Sequence, residues 1–129
     1  MKTELKVDGL TARPGEKVKG FVLFDESAAG IQVQAPVFVI NGAHEGPTLV
    51  VTSGVHGDDL NTIPMTWRIA EQIDAGQLRG QVIAIPVVNP LALPLLIMIP
   101  PRFRAMHTAR SRSVLAITCI TKLWSRRTT

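Results

Sequence analysis

A single cysteine, Cys119, stands in the 129 residues, so no disulfide can close within the chain and nothing calls for an oxidising compartment. An apolar run at the amino terminus is also missing. Residues 1–8, with Lys2, Glu4, Lys6 and Asp8, give no start to the apolar run of a secretory signal, and a cytoplasmic location is expected. The third absence is acid. Residues 95–129 hold seven basic residues and no aspartate or glutamate, whereas residues 1–94 hold all ten acidic residues and the other seven basic ones. That break in composition divides the chain into an amino-terminal β segment (1–30), a patterned region (31–94) and a basic tail (95–129). No internal repeat or low-complexity tract is present, and 46% hydrophobic residues exclude disorder as the general state.

The patterned region reads as α/β. Residues 1–16 are polar, with the turn pair Pro14-Gly15, and residues 18–24 read as a strand. Residues 31–40 begin with alternation (Ile31, Val33, Ala35) and end in the continuous apolar run Val37-Phe38-Val39-Ile40. Asn41-Gly42 and Glu45-Gly46-Pro47 mark turns. Residues 48–52 are short and β-branched, the pattern of a strand buried on both faces. A helix is expected over residues 60–74, with Asp58, Asp59, Asn61 and Thr62 as competent caps and Ile63, Trp67, Ala70 and Ile73 as one apolar stripe. Gly76 is its expected stop. Residues 81–88 read as a further strand. Together, residues 31–92 are expected to form two adjacent strands, a crossover helix and another strand in one mixed sheet, with N-terminal β-strands before it. Residues 82–99 carry no charge, as a membrane span would. Pro86, Pro90 and Pro94 interrupt them and Asn89 lies within, so no spanning helix is expected.

The segment with chemistry is Gly54-Val55-His56-Gly57-Asp58-Asp59. A histidine and a carboxylate three residues apart can reach one metal when the first ends a strand and the second opens a helix. Zinc accepts both donor types, and Gly54 and Gly57 permit the tight turn. In open α/β sheets this strand end is where ligands bind. Each residue also has a plainer reading: His56 as a turn histidine, Asp58 and Asp59 as helix caps. His44 reads as a solvated turn residue and Trp67 as core. Cys119 reads as an inert thiol and His107 as part of the tail, without a carboxylate beside it.

This turn, followed by an amphipathic helix and then Val87-Val88-Asn89-Pro90, resembles the succinylglutamate desuccinylase/aspartoacylase family of zinc-dependent deacylases. The likeness covers roughly residues 30–92. It implies a truncated zinc-carboxypeptidase-like mixed sheet, one zinc ion, and hydrolysis of an N-acyl amide or ester in a small acylated amino-acid-like substrate. It makes His56 a metal ligand and places Asp59 where the family has a glutamate ligand. The family's downstream histidine ligand, general-base glutamate and substrate-holding arginines have no counterpart here. The active site is therefore expected to be incomplete, with weak zinc binding and little turnover.

From about Leu93 onward the tail has no caps, turns or periodicity, and it is expected to pack weakly and to stem from a frameshifted or otherwise aberrant reading of a longer gene. The alternative is a small non-enzymatic module whose Arg102–Arg112 run contacts an acidic partner or nucleic acid. With only Phe103 among those arginines, no nucleic-acid role is expected, and no membrane role. Self-association is expected from apolar strand edges left uncovered.

Overall fold

The structure, a computed structural model, describes residues 2–26, 29–56, 59–91 and 114–118. Eight elements follow in order: β1 (Leu5–Val7), β2 (Leu10–Ala12), β3 (Glu16–Glu26), β4 (Gln32–Asn41), β5 (His44–Thr52), α1 (Thr62–Gln72), β6 (Arg79–Ile85) and β7 (Val114–Thr118). β1 and β2 pair as a small antiparallel sheet. The other strands form one five-stranded mixed sheet in the order β3-β4-β6-β5-β7. β3, β4 and β6 are antiparallel neighbours, whereas β5 runs parallel to both β6 and β7.

The continuous apolar runs are explained by burial on both faces of this sheet. Alternate residues of β4 and β6 point to opposite sides. Val37, Val39, Ile83 and Ile85 join Val22, Ala35 and Val50 on one face, where Ala12 and the partly buried Leu5, Val7 and Leu10 of the β1–β2 hairpin cover them. Phe38, Ile40, Val82 and Ala84 face the other way, against Ala70 and the partly buried Trp67 of α1. The order is thus hairpin, sheet, helix. Val37, Val39 and Ile40 are each 0% exposed, and burying a side chain of that size contributes roughly 1.5–3 kcal/mol.

Three features add to the sequence expectation or differ from it. The polar residues 1–16 contain the β1–β2 hairpin, turned at Asp8 (φ 44°) and Gly9 (φ 83°), a backbone suited to a tight two-residue turn. Second, β4 and β5 are not adjacent. β6 lies between them, although only Gly42 and Ala43 separate the two strands in sequence. The chain crosses the start of β6 at very short range: Gly42 N–H donates to the Gly80 carbonyl at 2.9 Å, and His44 N–H to that of Leu78 at 3.2 Å. A Cβ on Gly42 would stand 2.3 Å from the Leu78 oxygen, and one on Gly46 would stand 2.7 Å from the Gly80 nitrogen. Such a crossing is open only to glycine. Third, Thr62, Thr66 and Ala70 are the buried residues of α1; of these only Ala70 belongs to the expected stripe, whose Ile63, Trp67 and Ile73 are half-buried. The two threonines sit where an apolar pattern could not reveal them.

The helix ends at Ile73, whose ψ of 123° is extended, before Gly76 is reached. Within the basic tail, Val114–Thr118 is strand β7, paired with β5 from Thr48↔Val114 to Thr52↔Thr118, where weak packing was expected. The rest of the tail, with Cys119, His107 and the arginine run, lies outside the described residues. Val82–Ile85 belong to strand β6 and not to a helix, as expected. Among the described residues no helix is long and apolar enough to cross a membrane.

Candidate metal centre

β5, flanked by β6 and β7, ends at Thr52, and the chain then turns over the carboxyl edge of the sheet into α1. Ladder-like hydrogen bonds continue past the strand. Ser53 N–H donates to the Ile85 carbonyl (3.1 Å), Val88 N–H to Ser53 (3.0 Å) and Asn89 N–H to Gly54 (3.1 Å). The Ser53 hydroxyl, 0% exposed, donates to the Pro86 carbonyl at 2.6 Å. At Gly54 the backbone takes φ 63°, and a Cβ there would meet the Pro86 oxygen at 2.9 Å and Val87 Cα at 3.0 Å. The turn is therefore pressed against the 86–89 segment, and glycine answers both the torsion and the contact.

His56 follows two residues later. Its backbone N–H donates to Asp59 Oδ2 at 3.0 Å, and Asp59 N–H returns a bond to the His56 carbonyl at 3.2 Å. Asp59 is 6% exposed. Its carbonyl accepts from Thr62 N–H (3.2 Å) and from the Thr62 hydroxyl (2.9 Å), which ties the turn to the first residue of α1. Asn61, at the N-cap position, makes no side-chain cap bond. The cap expected of Asn61 is thus not made, and Asp59 turns its Oδ2 back toward the histidine.

His56 Nδ1 is buried and has no hydrogen-bond partner, alone among the buried side-chain nitrogens and oxygens of the described residues. Buried polar atoms are nearly always paired, and one left bare at a strand end calls for a missing partner such as an ion. Zinc accepts both imidazole nitrogen and carboxylate oxygen. His56 and Asp59 fit the expected ion to that extent. Among the described residues no group of three histidine, cysteine, aspartate or glutamate side chains gathers around a common point. His44 begins β5 and so stands at the opposite end of the strand. Asp58 and Gly57 lie outside the described residues. Trp67 is core, as expected, packed edge-to-face on Phe38 with ring centroids 5.0 Å apart.

One contributor was not visible as such in the sequence. Asn89, 7% exposed, donates from Nδ2 to the Val55 carbonyl at 3.2 Å, one residue before His56. Its place in Val87-Val88-Asn89-Pro90 marked a strand end. Nothing in the sequence showed that the strand end holds the turn.

The mixed sheet with its crossover helix is the fold of the solved succinylglutamate desuccinylase/aspartoacylase structures it superposes on. Residues 45–95 match the succinylglutamate desuccinylase/aspartoacylase catalytic domain. A curated relative, the N-alpha-acetyl-L-2,4-diaminobutyric acid deacetylase of Halomonas elongata, is 38% identical over 65 residues. The match takes in 50% of this chain and 18% of that enzyme. An aspartoacylase family protein from Mesorhizobium loti superposes with a TM-score of 0.60 at 29% identity, over 72% of this chain and 29% of the other. The succinylglutamate desuccinylase/aspartoacylase of Rhodobacter sphaeroides gives 0.57 at 25% identity, over 66% and 27%. The chain thus spans less than a third of the length of each of these three relatives.

Proposed function

We propose that this chain provides the first two ligands, His56 and Asp59, of a zinc site in a deacylase that cleaves the N-acyl amide of a small acylated amino acid. The observation that supports this reading is the buried, unpartnered Nδ1 of His56, three residues from a buried carboxylate. The relatives' names include a deacetylase and a desuccinylase, which is the source of the substrate class. Zinc in such a site polarises the acyl carbonyl and lowers the pKa of a bound water. The chain's own residues hold and orient. Gly54 lets the turn close, Asp59 fixes the His56 amide through Oδ2, and Thr62 fixes Asp59 to the helix. With two candidate ligands, and the family's general base and arginines without counterparts in the sequence, this chain by itself binds zinc weakly and turns over little on this reading.

Calorimetric titration of the purified chain with zinc tests the reading. The expected result is a dissociation constant weaker than about 1 μM, with binding lost in His56→Ala. Binding that survives His56→Ala overturns the ligand assignment. Submicromolar binding at one zinc per chain, lost in His56→Ala, shows that a third ligand is present.

A further inference from the structure

We infer that Asn89 is a positioning residue for the metal turn: its side-chain amide, by holding the Val55 carbonyl, sets where the His56 imidazole stands. The inference rests on the reading of His56 as a ligand and adds a residue to it. Three observations carry it. Asn89 reaches the turn twice, by its backbone N–H to Gly54 (3.1 Å) and by Nδ2 to Val55 (3.2 Å), so two successive carbonyls before His56 are held by one residue. The residue is 7% exposed, where water replaces a lost protein donor poorly. And His56 has no side-chain bond of its own through Nδ1, so its ring takes its place from the backbone that carries it. The Val55–His56 peptide unit is held at both ends, by the Asp59 carboxylate on the His56 N–H and by Asn89 on the Val55 carbonyl. The Val55 C=O and the His56 N–H belong to one planar peptide group. Asn89 and Asp59 therefore grip the same plane from its two sides, and releasing one lets it swing about the other.

Groups that orient a metal ligand without touching the metal commonly contribute 10–100-fold in affinity. The distinguishing variant is Asn89→Asp, which keeps the shape and the backbone N–H but cannot donate to Val55. Two quantities are read on the full chain: zinc affinity by titration, and exchange of the His56 amide proton by NMR, with thermal stability as the control. The expected result is a zinc affinity about 10-fold or more weaker and faster exchange confined to residues 54–59, at a midpoint near that of the parent. Asn89→Gln, which carries the same donor on a longer arm, is expected to recover part of the affinity. Unchanged affinity and unchanged exchange in a folded Asn89→Asp overturn the inference. If neither variant folds, Asn89 serves the fold as a whole and the inference is equally overturned. The ligand reading fails separately. Should His56→Ala leave zinc binding intact, the exchange of the His56 amide in Asn89→Asp still decides whether Asn89 sets the turn.

Discussion

Lys17 of β3 donates from Nζ to the carbonyl of Glu71, the penultimate residue of α1, at 2.7 Å. The same ammonium donates to Ala70 (3.1 Å) and Ile73 (2.9 Å), so one side chain satisfies three carbonyls at the helix end. The last carbonyls of a helix have no partner within it and carry the negative end of its dipole, which makes a cation from the neighbouring strand doubly effective. Lys17→Met, which keeps the apolar stem and removes the charge and donors, is expected to destabilise the chain by about 1–2 kcal/mol. Urea unfolding of the two proteins measures it, and a loss under about 0.3 kcal/mol would show that water replaces the ammonium fully.

Two residues along the strand, Lys19 places its ammonium 4.2 Å from the Trp67 ring centroid and 5.5 Å from that of Phe38. Lys17 and Lys19 share a face of β3, and both hold α1 to the sheet. A double-mutant cycle with Lys19→Met and Trp67→Leu is expected to return a coupling of about 0.5–1 kcal/mol. Strict additivity of the two single changes would show that the contact contributes nothing beyond its area.

Glycine substitutions are expected to rank by what a Cβ would meet. Gly30 (φ 75°) has nothing within 4 Å, Gly54 (φ 63°) meets the Pro86 oxygen at 2.9 Å, and Gly80 (φ 94°) meets the Pro47 oxygen at 2.1 Å. Alanine at Gly30 is expected to cost about 1 kcal/mol for the backbone conformation alone. Alanine at Gly54 should cost more and alanine at Gly80 most, because neighbouring backbone must also shift. Chemical denaturation of the three variants gives the order, and an equal loss at all three would remove the crowding argument.

Asp59→Asn separates the two roles of this residue. An amide oxygen can accept from the His56 N–H in place of Oδ2, and asparagine serves as well as aspartate in such turns, so stability is expected to stay within about 0.5 kcal/mol of the parent. The charge that suits zinc is lost, and zinc affinity is expected to fall about 10-fold or more. Preserved zinc affinity would reduce Asp59 to a cap.

The candidate site was legible because its signals are local. His56 and Asp59 lie in one short turn, the β-branched residues 48–52 mark a strand buried on both faces, and the turn joins that strand to a helix. Each of these depends on near neighbours in the chain, which is all that periodicity and turn chemistry report. The continuous apolar run from Val37 to Ile40 was legible for the same reason; its burial on both faces is what the structure adds.

Sequence alone determined the α/β class, the strand–turn–helix that carries His56 and Asp59, and the family to which residues 45–95 are similar. Tertiary structure alone decided three things. It placed β6 between β4 and β5, because two glycines that read only as turn residues, Gly42 and Gly46, let one backbone pass within contact of another. It buried Thr62 and Thr66 where apolar periodicity favoured their neighbours, since the face a helix buries depends on how it lies on the sheet. And it brought Asn89 to Val55 across 34 residues of chain. A hydrogen bond between such distant residues follows from strand register, and register is set by the packing of the whole sheet.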